Sequence, residues 1–283
     1  MMPRLAMVAA VLAMTACDST DEVRILTGEA MGTTYRIKTV GDAEGLRGEI
    51  DVMFDQLDRD VSTWREDSWI SRFNRAEAGS SFDMPASVVE LMSISRDCHE
   101  RTEGRFDPTV GALIRLWGFG AWKKEWRGEP GPEEIMAARE ACGFRHIRIE
   151  GHRITKLQGG LMLDFSAIAK GHAVDLIAAI LREAGIRDFV IEIGGDLLAE
   201  GHAPGKSGWT VDGPALNGPV TLIDEAIATS GSEHHFRGQR SHIIDPRRGE
   251  PVPVGRPSAA RARTCAVADA LATAAVVEQA GGE

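Results

Sequence analysis

The sequence predicts a single α+β domain, a mixed or antiparallel sheet with helices packed against it. Three observations lead there. Strand-like and helix-like segments alternate along the chain, but without the regular spacing of a βα barrel or a Rossmann unit. No repeat, low-complexity tract or long linker divides residues 23–283. A composition of 43% hydrophobic and 26% charged residues supplies enough apolar surface for one substantial core.

Residues 23–40 read as strand around a turn at Gly32, with β-branched alternation through Thr33, Thr34, Tyr35 and Ile37. Residues 46–60 place Leu46, Ile50, Met53, Phe54 and Leu57 on one helical face. A second helix over 86–103 stops at Gly104, and a third over 132–142 opens on Pro132 and closes at Gly143. Residues 146–149 and 153–156, around Gly151, form a predicted hairpin. The strongest helical pattern covers 167–184 and ends at Gly185. Strands are expected over 189–193, 209–211, 220–223 and 242–244, and a last helix over 266–278.

With 32 basic and 42 acidic side chains the formal charge is −10, which argues against a nucleic-acid binder because that needs a basic footprint. Cysteines 17, 98, 142 and 265 form no CxxC pair, so neither a structural zinc site nor a disulfide framework is indicated. The last three are expected to be buried, apolar thiols. The 31 glycines exceed the usual ~7% share and cluster beside polar and charged residues.

Residues 1–16 carry Arg4 and an apolar run over 5–13, too short for the ~20 residues that span a bilayer, and read as a signal peptide. Met14, Thr15, Ala16 and Cys17 resemble a bacterial lipoprotein signal, in which the cysteine becomes the lipidated first residue. On that reading the domain is 17–283, anchored through Cys17, and Asp18 resembles the signal that retains lipoproteins at the inner membrane.

Several clusters could carry chemistry. Asp164 to Gly171 (DFSAIAKG) opens the long helix, where free amides, the dipole and Lys170 suit a phosphate; a plain helix capped by Asp164 or Ser166 with a solvated Lys170 fits as well. Asp269 and Thr273 stand four apart among alanines, on one helical face, and offer hard oxygen ligands for Mg²⁺. His242, at a strand end before Asp-Pro-Arg-Arg-Gly, suits a general base or a structural histidine. His234 and His235 are adjacent, which is wrong for ligation from one strand face. Gly194, Gly195 and Asp196 follow an apolar strand. Met31, Trp64 and the aromatics of 104–120 are candidates to flank a planar ligand, with core packing as the alternative.

Taken together and in order, AMGTTY (30–35), STW (62–64), SWISRFN (68–74), GRFDPTVG (104–111), LWGFG (116–120), DFSAIAKGHAVD (164–175), IGGD (193–196), ATSGS (228–232), HIIDP (242–246) and ADALAT (268–273) resemble the ApbE family of periplasmic FAD:protein FMN transferases. The resemblance implies transfer of the FMN part of FAD onto a threonine of a partner, with release of AMP and dependence on Mg²⁺. It assigns Met31, Trp64, Arg105, Phe106, Asp107, Asp164, Lys170 and Ile243 to the FAD site. The metal falls to the Ala167 carbonyl, Asp269 and Thr273, and the base to His242. The glycines within these motifs are expected where backbone comes closest to the dinucleotide. Acceptor subunits of membrane redox complexes, at the periplasmic face of the inner membrane, are the implied partners. Some relatives hydrolyse FAD to FMN and AMP instead, and a non-catalytic flavin-binding lipoprotein or a structural partner of a redox complex are the other readings. The family commonly continues through a further strand after ADALAT, so the C-terminal edge is expected to be shortened or completed by another segment. The run 230–236 (SGSEHHF) also departs from the family pattern.

Overall fold

The N-terminal hairpin sets the scaffold. In the computed structural model, which describes residues 22–281 except 214, 217 and 232–235, β1 (Val23–Ala30) and β2 (Thr33–Val40) pair antiparallel. Ala30 lies opposite Thr33, leaving Met31 and Gly32 as a two-residue tip at φ 52° and 75°. Both residues in the left-handed region is the signature of a type I′ turn, whose twist matches that of the strands. The predicted signal peptide, Cys17 and Asp18 lie outside the described residues, as do Ser232, His234 and His235.

Next come α1 (Arg47–Val61), α2 (Trp69–Arg75), β3 (Ser81–Asp83) and α3 (Ala86–Arg101). The stripe expected on α1 is real, with Ile50, Phe54 and Leu57 buried. Helix α2 starts because the Ser68 hydroxyl accepts the Ser71 N–H at 3.1 Å. Then follow α4 (Gly111–Leu116), α5 (Pro132–Glu140), β4 (Ile147–Glu150), β5 (Arg153–Lys156) and α6 (Ala169–Glu183). Gly185, at φ 82°, ends α6 as the sequence predicts.

The C-terminal half is strand-rich. It comprises β6 (Phe189–Ile193), β7 (Asp196–Glu200), β8 (Trp209–Val211), β9 (Val220–Leu222), β10 (Glu225–Ser230), β11 (Phe236–Arg237), β12 (Arg240–Asp245), β13 (Glu250–Pro253) and β14 (Ser258–Ala262). Helix α7 (Cys265–Gly281) follows. The main sheet runs β1-β2-β6-β7-β10-β14 with every neighbouring pair antiparallel. Smaller sheets are β11-β12-β13, β3-β5-β4 and β8-β9.

Helix α7 packs on β10 and β14 and against α6. Ala266, Ala268, Ala270, Ala272 and Ala274 are all buried, and a half-buried face of Val267, Leu271 and Ala275 approaches solvent, so α7 sits largely inside the core. Cys98, Cys142 and Cys265 are buried too, and burial pushes the Cys98 thiol up to about 11. No helix among the described residues is long and apolar enough to cross a membrane.

Among the described residues, Lys156 is the largest charged side chain that is fully buried. It is 1% exposed and donates to the carbonyls of Phe73 (3.3 Å) and Asn74 (2.9 Å), at the C-terminal end of α2, where the helix dipole favours a cation. Burial pulls its pKa down from 10.5 to about 8. Between these values the unfolded chain holds the proton and the folded chain has lost it, so stability rises with pH across that window. The difference in unfolding free energy between wild type and Lys156→Met is therefore expected to shift in favour of wild type by roughly 2–3 kcal/mol from pH 7.5 to 10.5, read by urea titration at each pH.

Candidate active site

One end of the main sheet gathers the pieces. The Gly194–Gly195 tip of the β6–β7 hairpin has φ 54° and 93°, a second two-residue turn of the I′ kind. It lies beside the first tip, since a Cβ on Gly194 would stand 3.0 Å from the Thr33 side chain. The Thr229 hydroxyl, at the end of β10, donates to the Gly195 carbonyl at 3.2 Å. A Cβ on Gly195, at φ 93°, would meet that hydroxyl at 2.8 Å, so this position favours glycine.

Segment 104–111 is tied to the approach to α6. Gly111 donates to the Met162 carbonyl (3.1 Å) and Asp164 to the Pro108 carbonyl (2.8 Å). The Asn74 side chain pairs with both backbone groups of Leu163, at 2.8 and 2.7 Å, in the manner of a neighbouring strand. Asn74 thus anchors the residue just before Asp164, which gives the SWISRFN motif its structural reason.

These segments enclose a cavity of about 610 Å³, within the ~300–1,000 Å³ of pockets that bury a ligand. Met31, Arg105, Phe106, Asp107, Asp164, Ala167, Lys170, His242, Ile243, Asp269 and Thr273 all line it. Trp64 does not. It lies between α1 and α2, is 72% exposed and takes no part in the cavity wall. Strand β12 breaks register between Arg240 and Ile244. His242, Ile243 and Ile244 all line the cavity beside this irregularity, with Ile243 packed toward Val276 and Val277 and Ile244 toward Leu113 and Trp117.

Lys170 and Asp269 give the cavity a charged wall, with Asp196 buried behind it. Lys170 donates to Asp196 Oδ2 at 2.6 Å and lies 3.5 Å from Asp269 Oδ2. Asp196 is fully buried and its Oδ1 has no hydrogen-bond partner. Burial, then the neighbouring Asp269 charge, hold the Asp196 carboxyl well above its usual range, against the pull of Lys170. Burial acts against the Lys170 charge, but Asp269 and Asp196 outweigh it and raise its pKa. Asp269 also accepts the Gly171 N–H at 3.2 Å. Thr273 and Ser230 bring their hydroxyls within 3.3 Å of each other.

Two more buried carboxylates face the cavity. Asp107 accepts the N–H and hydroxyl of Thr109 (2.8 and 2.6 Å), and Asp164 accepts the Ser166 N–H (2.8 Å). Burial raises both above the usual carboxylate range. Asp164 caps this turn and not α6, whose first residue is Ala169. Arg105 bonds the Thr102 carbonyl at 2.9 Å while its Nε stays unpaired.

Sequence reasoning did not single out Asp196, Thr229 or Ser230 as site residues. Their signal was present: each sits where a strand meets a glycine, in IGGD and ATSG. Nor do all motif glycines approach the cavity. Gly32, Gly194, Gly195 and Gly231 line it, whereas Gly171 packs on α7 and Gly104 turns toward His99.

The family model described as the ApbE family matches residues 31–282. The chain belongs to the ApbE family. An FAD:protein FMN transferase of Vibrio cholerae serotype O1 is 34% identical over 288 residues, covering 95% of this chain and 85% of that protein. One from Escherichia coli K12 is 30% identical, covering 88% and 78%. Among solved structures, the apo form of Pseudomonas stutzeri flavinyl transferase ApbE matches with TM-score 0.83 at 36% identity over 91% of this chain and 86% of that one. The ApbE protein of Thermotoga maritima gives 0.80 at 26% identity, over 92% and 88%.

Within this ApbE fold, Met31 holds a strained backbone at the cavity mouth. Met31→Asn creates the Asn-Gly pair that I′ turns favour, and is expected to stabilise the protein by up to about 1 kcal/mol. The same change removes an apolar wall, so FAD affinity is expected to fall. Thermal melts and quenching of flavin fluorescence on titration read the two effects separately.

Proposed function

We propose that this chain is a Mg²⁺-dependent FAD:protein FMN transferase that flavinylates a threonine hydroxyl and releases AMP. The observation that carries the reading is the single cavity on which a candidate base, His242, shares the wall with Lys170, Asp269 and Thr273. Two relatives are named FAD:protein FMN transferase, which supports the transfer of FMN to a protein.

The residues fit a divalent cation. Asp269 carboxylate, Thr273 hydroxyl and Ala167 carbonyl are hard oxygen donors from residues that line one cavity, and Asp269 with the buried Asp196 behind it shares the single ammonium of Lys170. Among the described residues no cluster of three His, Cys, Asp or Glu side chains is suited to a metal. Neutral oxygens, water and substrate phosphate would therefore complete the shell, as Mg²⁺ commonly allows. When bound, the ion neutralises charge that builds on the pyrophosphate oxygens.

The chain's own groups do the rest. Met31, Phe106 and Ile243 give the flavin and adenine apolar surfaces, and Arg105 adds a guanidinium to the same cavity wall. Lys170 brings a cation to the phosphates of a dinucleotide that a protein of charge −10 would otherwise repel. His242 takes the proton from the threonine Oγ as that oxygen bonds to the FMN phosphorus. The P–O bond to AMP breaks in the same displacement, and AMP leaves. On this reading the chain is secreted, lipidated at Cys17, and meets acceptor subunits of membrane redox complexes at the periplasmic face of the inner membrane.

Purified protein with FAD, Mg²⁺ and a threonine-containing acceptor peptide is expected to yield a fluorescent, covalently flavinylated peptide and AMP. Free FMN with AMP would instead mark a hydrolase, and intact FAD a binding protein. His242→Ala is expected to keep FAD binding and lose transfer by ~10²- to 10⁴-fold, the usual contribution of a general base. Asp269→Ala is expected to lose the Mg²⁺-dependent turnover. Unchanged flavinylation by His242→Ala contradicts the base assignment.

A further inference from the structure

Helices α6 and α7 cap each other. The first four N–H groups of any helix lack an intrahelical acceptor. At the head of α6, Ile168 supplies no side-chain cap, and Asp269 of α7 accepts the Gly171 N–H at 3.2 Å. In the reverse direction Asp175, one turn beyond Gly171, accepts the Cys265 N–H through Oδ1 at 2.7 Å and the Ala266 N–H through Oδ2 at 2.9 Å. Both oxygens of one carboxylate thus hold the first two N–H groups of α7.

The crossing is also sterically closed. A Cβ on Gly171 would stand 2.4 Å from the Cys265 carbonyl oxygen, so α7 backbone rests directly on α6. Gly171 and Asp175 share one face of α6, while Cys265, Asp269 and Thr273 share one face of α7 by their spacing of four. A slip of α7 by one residue moves it ~1.5 Å along its axis and turns it by about 100°, which takes Asp269 away from Lys170 and Gly171.

We propose that Asp175 is a positioning residue for the divalent cation. It stands outside the cavity wall and acts by fixing the register of α7, so that Asp269 and Thr273 face the cavity together. The inference rests on the metal-dependent reading above and extends it to a residue that touches neither substrate nor ion.

The test measures Mn²⁺ binding to the full-length protein by calorimetry, with Mg²⁺-dependent FAD turnover measured alongside. Asp175→Asn keeps the volume but turns an amide NH₂ toward a backbone N–H. Gly171→Ala disturbs the same crossing with Asp175 intact. Both variants are expected to bind Mn²⁺ ~10- to 100-fold more weakly, the cost typical of groups that orient metal ligands. The Mg²⁺ concentration for half-maximal turnover rises in parallel, while KM for FAD at saturating Mg²⁺ stays at the wild-type value. A lowered melting temperature with wild-type Mn²⁺ affinity would mean a purely structural role and overturns the inference. Wild-type protein that binds no Mn²⁺ overturns the metal-dependent reading itself, and the inference with it.

Discussion

The close crossing of α6 and α7 is the constraint on which the cavity depends. Gly171 on one helix and the alanines of the other let the two backbones touch, and this brings Lys170 within reach of Asp269. Asp196 arrives from the sheet, at the start of β7, and completes a group of two buried carboxylates and one half-buried ammonium. Such a group costs desolvation energy, and its ion pairs repay that only with good geometry and further hydrogen bonds. Here two acids share one ammonium and one Asp196 oxygen goes unpaired. That imbalance is hard to account for as a stabilising device and suits a site that receives a cation.

Local rules of chain geometry are broken where the site lies. Met31 adopts a backbone conformation that favours glycine, paired glycines form the neighbouring tip, and β12 loses its register beside His242. Each departure brings consecutive residues or bare backbone to the cavity wall. Strain of this kind persists only where the surroundings over-determine it. The six-stranded sheet supplies those surroundings, because both tips and the end of β10 are fixed by antiparallel pairing.

Much of the fold was legible in the sequence wherever periodicity was strong. Helices α1, α3, α5 and α6 and the β1–β2 and β4–β5 pairs lie close to where hydrophobic spacing and glycine stops predict them. Strands β7, β10 and β14 were not read. The alanines of β10 and β14 (Ala226, Ala228, Ala260) have weak strand preference, but those strands pack on an alanine-rich helix that needs small neighbours. The short α2 and α4 carry too few turns for a period to show. At the site, motif order pointed to residues that do converge, yet three details needed coordinates. Gly171 clears space for a helix, Lys170 is held between carboxylates instead of lying open at the helix start, and Trp64 stands on the surface. Contacts across 98 residues of sequence, such as Gly171 with Asp269, leave no local pattern to read.

We propose that the charged wall of the cavity is a cation site built for a dinucleotide pyrophosphate. Anomalous diffraction from crystals soaked with Mn²⁺ and ADP tests it most directly. A manganese peak bounded by Asp269, Thr273 and the nucleotide phosphates is the predicted result. Nucleotide density in the cavity with no manganese beside Asp269, and Lys170 still bridging Asp196 and Asp269, would contradict it.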